Sequence, residues 1–136
     1  MSAEAQVRIL TKGAAILGEV LEPAGFVFQP GIHASGSGGP FADGRFVRGD
    51  QYIELHFRHS LGLVSYGWGG EALTHEDYLR GLGAKGAYPG FSDDPLDGFR
   101  HLARDLAGPL AGFVAGDRTA FDAAAKVASQ PRSRLP

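Results

Sequence analysis

The stretch from Gln51 to Trp68, QYIELHFRHSLGLVSYGW, constrains the fold more than any other part of this chain. Ile53, Leu55 and Phe57 alternate with Tyr52, Glu54, His56 and Arg58. A period of two marks a strand with one buried and one open face. A loop at Ser60–Leu61, or a longer one from His59 to Gly62, pairs Phe57 with Val64, Leu55 with Tyr66 and Ile53 with Trp68. Either loop gathers these side chains on one face. A loop of intermediate length slips the register by one and splits them, which is costly when one face is buried. The expected core face is therefore Ile53, Leu55, Phe57, Val64, Tyr66 and Trp68. The outward face carries Tyr52, Glu54, His56 and Arg58, with Leu63, Ser65 and Gly67 beside them.

The flanking segments complete an α+β pattern. Val7, Leu10, Ala14, Leu17 and Leu21 recur at helical spacing, with Ile9, Ile16 and Val20 alongside, so residues 3–22 are expected to form a helix. Its broad apolar side suits the groove of a curved sheet, and a homodimer seam is the alternative. Pro23 and Gly25 stop it. Phe26–Phe28 reads as a short strand, residues 29–44 as a glycine-rich loop, and Arg45–Arg48 as a strand turning at Gly49-Asp50 into the hairpin. Gly69-Gly70 is expected to end a four-stranded antiparallel meander.

Helical segments follow. Thr74 is a candidate N-cap, with Glu76 and Asp77 in the first turn. Ser92 is another, with Phe91 and Leu96 placed for a hydrophobic staple and Phe99, Leu102 and Leu106 on the buried stripe. Gly108-Pro109 interrupts that helix. Asp117 caps a last one, packed through Phe121, Ala124 and Val127 or Ala128. Residues 1–130 are expected to form one α+β domain: an N-terminal helix on a curved four-stranded antiparallel sheet, then C-terminal helices. Residues 131–136 are expected to be a flexible tail.

Composition narrows the function classes. With 13 Lys and Arg against 15 Asp and Glu, the net charge is −2, and nothing pulls the chain toward nucleic acid or an anionic membrane. There is no cysteine, which removes disulfide and thiolate chemistry and fits a cytoplasmic protein. No apolar run reaches the roughly 18 residues of a membrane span, and the N-terminus does not read as a signal peptide.

The chemical motifs fall short of family-grade signatures. His56 and His59 would point to opposite faces of a strand, and His33, His75 and His101 come from separate elements, so no metal site is expected. HASGSGGP, residues 33–40, lacks the lysine and helix of a phosphate loop, so no cofactor is expected either. No G-x-S-x-G nucleophile elbow occurs. The catalytic residues are unknown. What remains is the row Tyr52, Glu54, His56 and Arg58. It combines an aromatic ring, a carboxylate beside an imidazole, and a guanidinium able to hold an anion. It reads as a binding surface, as a solvated sheet face, or, if helices cover it, as a site.

Pro23-Ala24-Gly25-Phe26 and the strand Tyr52 to Arg58, in the first half of the chain, resemble small bacterial α+β domains, some of which are immunity proteins that neutralise toxins. The resemblance implies a non-enzymatic, protein-binding role and assigns no residue. The alternative expectation is a small-molecule binder or modest hydrolase with a pocket between sheet and helices, led by His56 and Glu54. A monomer and a homodimer are both compatible with the sequence.

Overall fold

The computed structural model describes residues 2–130 of the protein. Helix α1, Ala3–Leu21, leads into a five-stranded antiparallel sheet. Its strands are β1 (Val27–Gly36), β2 (Gly39–Arg48), β3 (Gln51–Arg58), β4 (Ser60–Trp68) and β5 (Glu71–Thr74), lying side by side in chain order. Four helices follow: α2 (His75–Leu82), α3 (Asp97–Ala107), α4 (Ala111–Ala115) and α5 (Arg118–Ala128). The expected α+β layout holds, but the sheet has five strands rather than four.

The difference arises at two glycine-rich places. Residues 29–44 are not a loop. Ala42, Gly44 and Phe46 face inward in alternation with Phe41, Asp43 and Arg45, and the β1–β2 hairpin closes on the pair Gly36–Gly39. Small inward residues hide such a strand from a hydrophobic pattern. Gly44 leaves room for the ring of Phe28, which packs on Phe46 with centroids 5.1 Å apart. Gly69-Gly70 is a turn rather than an end, and β5 pairs back onto β4 from Trp68–Glu71 to Ser65–Thr74.

Helices and sheet share one hydrophobic core. The expected inner face of the hairpin is buried, and Leu61 joins it. Its register is shifted by two residues from the expected one. Ile53 faces Tyr66, Leu55 faces Val64 and Phe57 faces Leu61, with Gly62 as an extra residue in β4. A shift of two keeps every side chain on its face. Two contacts hold the tight end in this register. His59, at φ 63°, donates its backbone N–H to Oε1 of the buried Gln6 on α1 at 2.7 Å. The Tyr88 hydroxyl lies 2.8 Å from the Leu61 carbonyl and 2.7 Å from that of Gly62.

Helix α1 starts at Ser2, whose hydroxyl accepts from Ala5 N–H, and lies over β1 and β2. Helix α3 packs beside it. Phe99 stacks on Phe57 with centroids 5.8 Å apart and presses against Gly13 of α1, where a side chain would not fit. At the β4–β5 end, Tyr66, Trp68, Tyr78, Phe113 and Phe121 form a cluster of mostly edge-on rings. Edge-on packing suits the quadrupole of each ring.

The caps of α2 and α5 are as expected: Thr74 Oγ1 accepts from Asp77 N–H, and Asp117 Oδ1 accepts from Ala120 N–H. On α5, Ala128 rather than Val127 packs against the core. Helix α3 departs from expectation. It starts at Asp97, Ser92 instead accepts from Asp94 N–H within a turn, and Phe91 is 99% exposed, so there is no staple. Asp94 Oδ1 accepts from Leu96 N–H and Asp94 pairs with Arg100, which ties the turn together and delays the helix. No helix among the described residues is long and apolar enough to cross a membrane. The expected tail, 131–136, lies outside the described residues.

Candidate functional site

All the helices that touch the sheet broadly pack on its inner side or its β5 edge, so the outer face is left open. Strands β3 and β4 are central, which makes this face a rigid platform. Tyr52, Glu54, His56 and Arg58 stand along it as the alternation requires, all at least partly exposed. The expected row is therefore surface and not a pocket beneath helices.

The neighbouring strand β2 supplies partners that the sequence reading did not place. Register sets Val47 opposite Tyr52, Arg45 opposite Glu54 and Asp43 opposite His56. Arg45 lies 3.4 Å from Glu54 and its guanidinium carbon is 4.9 Å from the centre of the Tyr52 ring. His56 Nδ1 is hydrogen-bonded to Asp43, and the imidazole stacks on Phe41 with centroids 5.3 Å apart. Arg58 also lies over the Phe41 ring, 5.4 Å from its centre. On the β4 side, the Tyr52 ring covers Gly67, where any Cβ would collide with it. Such side chains are oriented by one another before any partner arrives.

Two shallow depressions notch this face. One, of about 290 Å³, lies where β1 bulges at Pro30–His33 and is bordered by Asp43, Arg45 and Glu54. The other, of about 230 Å³, is bordered by Asp43, Glu54, His56, Leu63 and Ser65. With Asp43 bound at Nδ1, the Nε2 edge of His56 is the edge left for a ligand. A third depression, of about 260 Å³, sits apart between the hairpin end and the 88–95 segment.

A second polar constellation was not foreseen. Tyr66, His75 and Asp105 are buried in a chain: Tyr66 O–H to His75 Nδ1 at 2.7 Å, and His75 Nε2–H to Asp105 Oδ2 at 3.0 Å. The carboxylate also accepts from the backbone N–H of Ala87 at 2.5 Å and of Tyr88 at 3.0 Å. Burial holds the His75 pKa below its ordinary value despite Asp105, and burial drives that of Tyr66 well up. This chain contains the groups of a catalytic relay, but it borders none of the three depressions. It ties β4, α2, α3 and the 84–90 segment together. The sequence carries no local signal for it, since His75 stands among Thr74, Glu76 and Asp77.

Arg48 and Gln51 form a second hidden tie. Arg48 Nη1 donates to Ala24 O at 2.7 Å and Val114 O at 2.8 Å, and Gln51 Nε2 donates to Phe113 O at 2.7 Å. A cation there meets the carbonyl end of α4, where it is electrostatically favoured. Among the described residues, no group of three His, Cys, Asp or Glu side chains could hold a metal ion. His33, His59 and His101 stay dispersed. Comparison with protein-family models, with curated proteins and with solved structures returned no match to this chain, so the open sheet face itself must carry the functional reading.

Proposed function

We propose that the protein is a non-enzymatic interaction module that captures a protein partner on the outer face of its sheet, in the manner of a toxin-immunity protein. One observation carries this reading: a whole sheet face is uncovered, and its aromatic and charged side chains are held in fixed mutual contacts. Fixed side chains lose little conformational freedom on binding, which favours association. The cysteine-free composition supports a cytoplasmic setting.

The test is capture from lysate of the source organism by tagged wild-type protein and by the Glu54→Lys/Arg58→Glu double variant. Both residues are partly or fully exposed, so the variant is expected to keep its fold and to lose a stoichiometric partner. Equal capture by a folded variant would remove the face from consideration.

The Asp43–His56 pair favours a second reading, general-base action on a small ester bound in the adjoining depression. On that reading, wild-type protein hydrolyses p-nitrophenyl acetate above background and His56→Gln does not. Identical rates for the two would dispose of it.

A further inference from the structure

Most arginines in the body of this protein have an acceptor. Arg45, Arg80, Arg100 and Arg118 each meet a carboxylate, and Arg48 meets carbonyls. Arg8 and Arg104 have no such partner and are exposed on helices, where water solvates them. Arg58 belongs to neither group. It is half-buried, its Nε is shielded from solvent with no acceptor, and no carboxylate among the described residues reaches it. Phe41 supports its guanidinium from below. The backbone of Gly38, at the tip of the β1–β2 hairpin, supports it at the side so closely that a Cβ there would strike Nη1. It is a planar cation held in place and lacking its anion.

We propose that Arg58 is a carboxylate-binding site that receives an aspartate or glutamate side chain of the protein captured on the outer face. The proposal rests on the interaction reading above and names the chemistry of the partner. A guanidinium presents paired N–H donors whose geometry matches a carboxylate. The surroundings select a single negative charge. His56 stands two residues away on the same face, but it is already bonded to Asp43, and Glu54 lies beyond it. A phosphate dianion would find no second unpaired guanidinium on this face among the described residues, whereas one carboxylate needs only the fork. The turn from Gly36 to Gly39 beside the guanidinium carries a single side chain, that of Ser37.

The experiment is a titration followed on the arginine Nε–Hε resonances of the full chain. The probe is acetyl-tetraglutamate amide, with sodium phosphate and sodium chloride at matched ionic strength as the other arms. The expected result is a saturable shift of the Arg58 resonance with peptide alone. Arg58→Lys keeps the charge but loses the planar fork, and Gly38→Ala keeps Arg58 but displaces it. Each is expected to weaken the peptide roughly tenfold or more, while Arg8→Gln leaves binding unchanged. Backbone spectra verify that each variant is folded. A linear shift equal to that in chloride overturns the proposal. So does phosphate binding at least as tightly as peptide, which would make this an inorganic anion site. The two readings fail separately: a partner lost with Glu54→Lys but kept with Arg58→Lys preserves the interaction face and removes Arg58 from it.

Discussion

Replacing Asp105 by alanine is expected to cost the protein much of its stability, although the residue is far from the open face. The carboxylate accepts from His75 Nε2, Ala87 N–H and Tyr88 N–H, and it is 2% exposed. Alanine leaves the His75 and Tyr88 donors in the interior without an acceptor, whereas the N–H of the exposed Ala87 can turn to solvent. At about 1–3 kcal/mol for each of the two stranded donors, the loss is about 2–6 kcal/mol. That is a large share of the roughly 5–15 kcal/mol that holds a typical domain folded. Asparagine should cost less, about 1–3 kcal/mol. Its oxygen can take the Oδ2 place and still accept from His75 and Tyr88 without a change of tautomer, so that only the Ala87 N–H loses its partner. Urea denaturation followed by Trp68 fluorescence gives both values. The reasoning fails if Asp105→Ala lies within about 1 kcal/mol of wild type, or if asparagine is the worse substitution.

The remaining predictions concern other parts of the same framework. Burial lowers the His75 pKa in the folded protein below its ordinary 6.5, so below that pH the unfolded chain binds a proton that the native state refuses. Stability should therefore fall as pH drops from 6.5, by up to about 1.4 kcal/mol per pH unit, and His75→Gln should flatten that slope in denaturation curves taken between about pH 5 and 6.5; parallel slopes would contradict it. Gly13→Ala ordinarily gains about 1 kcal/mol in a helix, but here the new Cβ falls 2.5 Å from the buried Phe99 ring, so overpacking of about 1–3 kcal/mol should outweigh it. A raised melting temperature for that variant would show that Phe99 can yield. Arg48→Met should cost about 2–4 kcal/mol by stranding the carbonyls of Ala24 and Val114 and the Gln51 amide oxygen; Arg48→Lys, lacking the fork, should restore less than half of the loss in the same denaturation assay.

The hairpin face and α1 were legible because each rests on local periodicity, and burial of Leu10, Leu17, Ile53, Phe57 and Tyr66 follows from it. The caps Thr74 and Asp117 were legible for the same reason, since a cap reaches only three residues along the chain. The hairpin register was not, because it is set from outside by Gln6 and Tyr88. The first half of β2 was hidden by its own inward residues, as Ala42 and Gly44 are too small to raise an apolar signal while the space over Gly44 is filled by Phe28. With residues 29–44 read as a loop, Asp43 could not be set beside His56, so the imidazole was seen without its partner. The Tyr66–His75–Asp105 chain joins residues up to 39 positions apart, and no spacing rule reaches that far.

The aromatic cluster has a consequence for how the chain is made. Tyr66 and Trp68 complete the inner side of the meander, but the rings that cover them, Phe113 and Phe121, come much later in the sequence. At about 5–20 residues per second on the ribosome, residues 69–128 take about 3–12 s to appear. For that interval the nascent sheet shows one side that it will later hide and one that it will always show. The temporary side is the greasier of the two, so a chaperone that binds aromatic surface would meet this protein during synthesis and release it once α5 has docked.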